Sequence, residues 1–287
     1  MTRTVAGHSL RTLFFGSSSF AVPSLHVTAE KTQLAGVVTQ PDRRAGRGHR
    51  LQPTPIKAAA LALGLRVYEP LSLKSFAQEI GSEPFDFFAL ASYGKILPQA
   101  LLDLPKRGAL NVHPSLLPKY RGATPIQAAL LDGRTQTGVS IMLMDAGMDT
   151  GDLVLQETLE IAADDDYGTL HDRCALFGAD LLAETFDLAV AGPLPRMPQR
   201  GEPSVTKPLR KEDLEVDLHW PAERIANAVR AFSPTPCARA TIDGESVKLL
   251  RAHVEADELI IDELIAPNRG KMSGEAYRQS RKQQERT

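Results

Sequence analysis

FDFFALA (residues 85–91) has one polar position in seven, and GALNVH (residues 108–113) follows it beyond a loop that carries SYGKILP (residues 92–98). A run apolar at nearly every position has no face to spare for water. It reads as a strand covered on both sides. LRTLFF (10–15), stopping at Gly16, and LAGVVT (34–39) give the same signal. Between them lie helical stretches, FAVPSLHVTAE (20–30) and TPIKAAALALGL (54–65), the second ending at a C′ glycine, Gly64. Buried strands alternating with helices predict an α/β fold: a Rossmann-like, doubly wound, mostly parallel sheet.

Further along the pattern changes. GVSIMLM (138–144) and GDLVLQETLEI (151–161) are joined by a turn-rich DAGMDTG (145–151), which predicts a more antiparallel edge. A long amphipathic helix is expected over 166–192, with Asp166 as N-cap. PLPRMPQRGEPSVTKPLRKED (193–213) has the proline and charge content of a linker. The expected division is therefore 1–202 for a first domain and 203–287 for a second. The second opens with a helix, PAERIANAVRAF (221–232). Strand-like runs follow at CARATI (237–242), SVKLLRAHV (246–254) and ELIIDELI (258–265), with Asp243-Gly244 as a hairpin turn between the first two.

The chain has 287 residues, 43% of them hydrophobic, enough for a sizeable core. Its two cysteines, Cys174 and Cys237, fit neither a disulfide framework nor a metal cluster and suit a reducing cytosol. No secretory leader and no membrane span is expected, so the expected location is cytoplasmic. The net charge is -2. Basic residues nevertheless gather in three places: Arg43, Arg44, Arg47, Arg50 and Lys57; Lys106, Arg107, Lys119 and Arg121; and the tail from Asn268. Each reads first as a solvated surface. Together they make a polyanionic partner worth testing.

Two constellations carry chemistry. In GALNVH, side chains alternate, so Asn111 and His113 share a face and Val112 takes the other. They sit at the C-terminal end of a strand, where doubly wound sheets bind ligands. Asparagine can donate to a developing oxyanion and histidine can move a proton. The plain alternative is a satisfied core histidine with an asparagine closing a turn. The second constellation is MDAGMDTGD (144–152), with Asp145, Asp149 and Asp152 among glycines. An aspartate beside a histidine orients the ring; an acidic turn is the plain alternative. FFGSSSFAVP (14–23) has one glycine where a dinucleotide fingerprint needs three. Metal-ligand spacings, a phosphate-binding loop and a nucleophile elbow are absent from the sequence.

NVHPSLLPKYRGATPIQ (111–127), MDAGMDTGD, VVTQPDRRAGRG (37–48) and ASYGKILP (91–98) together resemble the folate-dependent formyltransferase superfamily, and within it the methionyl-tRNA formyltransferases. The likeness runs from about Leu10 to Ala252, with an echo in GKMSGEAYRQS (270–280). It implies transfer of formyl from 10-formyltetrahydrofolate, as co-substrate, to the α-amino group of initiator methionyl-tRNA. Asn111, His113 and Asp149 map onto the family's catalytic residues, and Ser115, Leu116, Leu117 and Pro118 onto its folate contacts. The basic loop, through Arg43 and Arg47, maps onto the tRNA contact. A monomer with no metal is expected. The family's second domain is an OB-like barrel, and the alignment of VKLLRA (247–252) and GKMSGEAYRQS places a deletion near Asp257–Glu258. A shortened OB-like tRNA-binding domain is thus expected. The three chemical residues would serve equally well in a formyltransferase acting on a small amine or in a formyltetrahydrofolate hydrolase. A non-catalytic RNA-binding protein on the same scaffold is a third reading.

Overall fold

The computed structural model describes residues 10–45 and 50–284. Its contacts resolve into two compact units. The first comprises residues up to Arg121 with Gly138–Thr158 and Asp172–Ser204. The second comprises Gly122–Thr137, Leu159–His171 and Val205 onward. The second unit thus takes in two segments that lie upstream of the linear cut expected at residue 203.

The elements of the first half are β1 (Arg11–Gly16), α1 (Ala21–Lys31), β2 (Gln33–Val38), β3 (Arg43–Ala45), β4 (Arg50–Gln52), α2 (Pro55–Ala62), β5 (Val67–Tyr68), α3 (Leu73–Ile80), β6 (Phe87–Ala91), α4 (Gln99–Leu102) and β7 (Ala109–His113). After them come β8 (Arg121–Gly122), α5 (Pro125–Leu131), β9 (Gln136–Leu143), β10 (Leu153–Glu160) and α6 (Tyr167–Ala191). The first unit is built on a seven-stranded sheet of order β10-β9-β7-β6-β1-β2-β5. β1 pairs in parallel with β2 and β6, β2 with β5, and β6 with β7, while β7 and β9 are antiparallel. This is the mostly parallel sheet with an antiparallel edge that the apolar runs predicted. All five residues of β6 are buried, as FDFFALA required. The winding direction reverses between β1 and β6, so β7, which ends in His113, lies one strand away from the switch point.

One face of this sheet buries Leu13, Phe15, Val38, Phe88 and Leu90 with Phe76 and Ile80 of α3. Phe15 and Phe88 rings meet at 5.1 Å, and Tyr93 stands edge-on to Phe15 at 5.5 Å. The Tyr93 hydroxyl is buried without a hydrogen-bond partner. Burial, which disfavours the phenolate, pushes its pKa up to about 12.

The other face of β7 meets α6, which runs for 25 residues. A Cβ on Gly178 would come within 2.6 Å of Val112 Cγ1, so only glycine lets the helix close on this strand. Asp166 caps the helix as expected: its Oδ1 accepts from the Thr169 backbone N–H at 3.0 Å. At the far end Arg107 donates to the carbonyls of Ala189 (2.7 Å) and Gly192 (2.6 Å) while stacking on Phe87. Arg107, read in the sequence as part of a basic surface, is therefore spent on orphan carbonyls at a helix C-terminus.

The second unit holds α5, the two-residue β11 (Val205–Thr206), α7 (Ala222–Phe232), β12 (Ala238–Ile242), β13 (Glu245–Glu255), β14 (Glu258–Ala266), β15 (Gly270–Ser273) and α8 (Gly274–Gln284). α7 buries Ile225, Ala228, Val229 and Phe232 along one stripe and packs on β13. The strands form one antiparallel sheet in chain order, β12-β13-β14-β15. Sequence reading found three of the four; β15 and α8 were missed because GKMSGEAYRQS is short and polar. Among the described residues this is an open sheet, with no fifth strand to close an OB-like barrel. At the expected deletion, β13 turns directly into β14: Glu255 pairs with Glu258, and the two residues between, Ala256 and Asp257, both have positive φ (48° and 65°). Three of the tail cations serve this sheet. Arg269 pairs with Glu245, Lys271 with Glu263 at 2.9 Å, and Arg281 lies 3.8 Å from Asp243.

Left-handed backbone costs a non-glycine residue about 1–2 kcal/mol. Replacing Ala256-Asp257 by Asn-Gly, the pair suited to this turn, should stabilise the fold by about 1 kcal/mol in urea unfolding. For Tyr93, the raised folded-state pKa means that the native state holds its proton to higher pH than the unfolded chain. The associated stability is present below pH ~10 and fades as pH rises through about 12. Tyr93→Phe should remove that alkaline loss and leave neutral-pH stability equal or higher, since an unpaired buried hydroxyl disappears.

Candidate functional site

At the C-terminal end of β7 the pleat does what GALNVH implied. Val112 faces α6, so Asn111 and His113 face the opposite side together. His113 is 5% exposed. Its Nδ1 lies 3.6 Å from Asp149 Oδ2, an ion-pair distance just beyond a hydrogen bond, and its Nε2 lies 3.0 Å from the carbonyl oxygen of Tyr120. Both neighbouring oxygens can only accept. A neutral imidazole has one N–H and can satisfy one of them at a time, so proton position and ring contacts are coupled. Asp149 lies against the imidazole, with its side chain 16% exposed. Asn111 is half-buried and its amide has no hydrogen-bond partner among the described residues.

The loop that brings Asp149 here depends on local geometry. Asp149 has φ 54°, and Gly151 lies so close to β9 that a Cβ would fall 1.8 Å from the Leu143 carbonyl oxygen. Asp145 stays within the turn, accepting from Gly147 N–H (2.9 Å) and the Thr150 hydroxyl (2.6 Å). The backbone carbonyl of Asp152 accepts from Leu143 N–H at 2.8 Å. Of the three aspartates, the one that reaches the histidine is Asp149.

Ser115, Leu117 and Pro118 are buried, and Leu116 keeps partial exposure. Ser115 Oγ donates to the Lys119 carbonyl at 2.6 Å. Ser140 Oγ donates to the Ser115 carbonyl at 2.6 Å, and Gln156 Nε2 donates to the Leu117 carbonyl at 3.0 Å. The loop is thus a rigid frame whose serine is already occupied. Beyond β6, the Tyr93 carbonyl accepts from Ser17 Oγ (3.0 Å) and Gln40 Nε2 (2.8 Å), which ties the SYGKILP loop to those following β1 and β2. Ile96 in that loop is 83% exposed and Met148 50%.

β3 and β4 pair as a small antiparallel hairpin in the basic loop. Arg43 is exposed and donates to Gln40, while Arg47 lies outside the described residues. Lys57, at the base, donates to Asp42 (2.7 Å) and Glu69 (2.8 Å), and the Asp42 bond leads in raising the ammonium pKa.

The largest omission from sequence reading is the segment read as linker. Met197 exchanges both backbone hydrogen bonds with Leu153. Gln199 Nε2 donates to the carbonyls of Asp149 (2.8 Å) and Gly151 (2.9 Å), and its Oε1 accepts from Arg121 Nε (3.1 Å) and Nη2 (2.7 Å). Ser204 Oγ accepts from Tyr120 N–H at 2.8 Å. Nothing in a proline-rich, periodicity-free stretch signals such contacts; a lone glutamine within it is no motif. Among the described residues no three His, Cys, Asp or Glu side chains converge as a metal site, and no helix is long and apolar enough to cross a membrane.

Comparison with known proteins places these features in context. The formyl transferase family matches residues 10–186 and its C-terminal domain residues 208–282. Methionyl-tRNA formyltransferase from Pelotomaculum thermopropionicum is 43% identical over 252 residues, covering 87% of this chain and 80% of that protein. Among solved structures, the N-formyltransferase from Helicobacter canadensis, in complex with folinic acid and dTDP-3-aminofucose, superposes with a TM-score of 0.68 at 17% identity, covering 90% of this chain and 95% of that one. Methionyl-tRNA formyltransferase from Clostridium thermocellum gives 0.60 at 14% identity, covering 92% and 100%. At these identities the structures establish the shared fold.

Proposed function

The chain belongs to the formyl transferase family, and from that footing we propose that it transfers the formyl group of 10-formyltetrahydrofolate to the α-amino group of methionine on initiator tRNA. The observation that carries this reading is the end of β7, where a buried imidazole sits between two accepting oxygens and shares its face with an unpartnered amide. The choice of methionyl-tRNA as acceptor rests on the bacterial relative, which shares 43% of its residues over most of both chains.

The folate supplies a formyl group already carried on nitrogen and open to attack by an amine. Leu116, the SYGKILP loop and the exposed Ile96 and Met148 suit a flat, largely apolar ring system. Ser115, Leu117 and Pro118 complete the proposed folate contacts. Asn111 donates to the formyl oxygen as negative charge gathers there, a role in which one donor is typically worth about 3 kcal/mol of activation free energy. His113 takes the proton from the attacking amine and returns it to the folate nitrogen as the bond from that nitrogen to the formyl carbon breaks and tetrahydrofolate leaves; Asp149 orients the ring and steadies its charged form. A free α-amine titrates near pH 7.7–8.0, so a usable neutral fraction exists at physiological pH. Ser115 Oγ is committed to Lys119, which speaks for direct attack by the amine over a serine-bound intermediate. Arg43 and Arg47 engage the acceptor end of the tRNA. The protein works as a monomer in the cytoplasm, in translation initiation. The first domain, 1–202, carries the chemistry, and 203–287 is a reduced tRNA-binding domain.

Asn111→Ala and His113→Ala should each lower formyl transfer to charged initiator tRNA by about 10²–10³-fold, read in a coupled assay with formylfolate. Folate turnover that proceeds equally without tRNA would instead support a hydrolase or a small-amine formyltransferase. Arg47→Ala should raise KM for methionyl-tRNA while leaving folate affinity unchanged. Equal loss of both would remove the basic loop from the tRNA site.

A further inference from the structure

We propose that Gln199 is a positioning residue for the reaction: its side-chain amide sets the backbone that holds Asp149 against His113. The inference rests on the formyl-transfer reading above. It also rests on a hydrogen-bond pattern that leaves no freedom of assignment. Arg121 can only donate and the carbonyls of Asp149 and Gly151 can only accept, so the amide oxygen must face Arg121 and the nitrogen must face the loop. All four hydrogen-bonding positions of one glutamine are used. The target backbone is in a sparsely used conformation: Asp149 has φ 54°, left-handed, which aspartate tolerates better than most residues but which still has to be held in place. The two carbonyls gripped are those of Asp149 itself and of Gly151, whose lack of a side chain lets the loop lie on β9.

The same strap also reaches the other side of the imidazole. Ser204 Oγ accepts from Tyr120 N–H, its N–H donates to the Pro118 carbonyl, and its carbonyl accepts from Arg121 N–H. Tyr120, with φ 56°, presents the carbonyl that faces His113 Nε2. Both oxygens flanking the ring are therefore braced by one segment, Met197–Ser204. Arg121, counted in sequence among the basic surface residues, works as the anchor of the Gln199 amide.

Gln199→Glu separates this role from a structural one. A carboxylate at 199 still accepts from Arg121, so folding should be kept, but it cannot donate to the loop carbonyls. Gln199→Leu removes both halves. We expect kcat to fall about a hundredfold in both variants, as misplacement of a catalytic group does. KM for formylfolate and methionyl-tRNA should stay within about twofold, and the melting temperature of Gln199→Glu should remain near that of the parent. The ring ¹⁵N shifts of His113, which report where its proton sits, should change in both variants. A parent-like kcat and unchanged ring shifts in well-folded Gln199→Glu overturn the proposal. So does a fall in kcat that tracks only the loss of folded protein. The ring shifts need no turnover. If the parent itself fails to transfer formyl to tRNA, the functional reading is lost while the brace is still tested.

Discussion

The pleat of β7 is the constraint on which the rest of the site depends. Because successive side chains must alternate, covering Val112 with α6 commits Asn111 and His113 to the opposite face. Gly178 permits that cover, for any larger residue would hold the helix off the strand. Packing on one side of a sheet thus determines which functional groups meet on the other. The antiparallel partner β9 then sets the start of the loop that returns Asp149 to the histidine.

Local pattern made much of this legible. FDFFALA, LRTLFF and LAGVVT became central strands, Gly64 and Asp166 ended and began helices as their chemistry implies, and Asp243-Gly244 turned a hairpin. Asn111, His113 and Asp149 could be paired in advance, two by alternation and the third by resemblance to a family. What escaped is of another kind. Gln199 acts on a carbonyl 50 residues away in the chain, and no periodicity encodes so distant a pairing. Arg107 and Arg121 carry charge, which suggests a solvated surface. Their planar, many-donor head groups are equally suited to internal carbonyls and amides, and here they serve those.

The inward use of cations also bears on how the molecule meets a polyanion. With Arg107, Arg121, Lys57 and Arg269 engaged within the fold, the cations available for phosphate contact are fewer than composition suggests. Exposed Arg43, Lys106 and Lys119 belong to the first unit, which also holds Asn111, His113 and Asp149. The open sheet of the second unit pairs several of its cations with its own acids.

The tight reversal at Ala256-Asp257 has a consequence for the evolution and engineering of this chain. The two strands are already in register on either side of it, so extra residues spliced in there need not disturb pairing below. Because faces alternate every second residue, an insert that lengthens both arms equally preserves which side is wet and which is dry. One that lengthens a single arm by one residue must be absorbed as a bulge, and β13 already shifts register against β14 between Leu249 and Ala252. The junction is thus a ready graft point for a longer, barrel-closing hairpin or for a reporter tag.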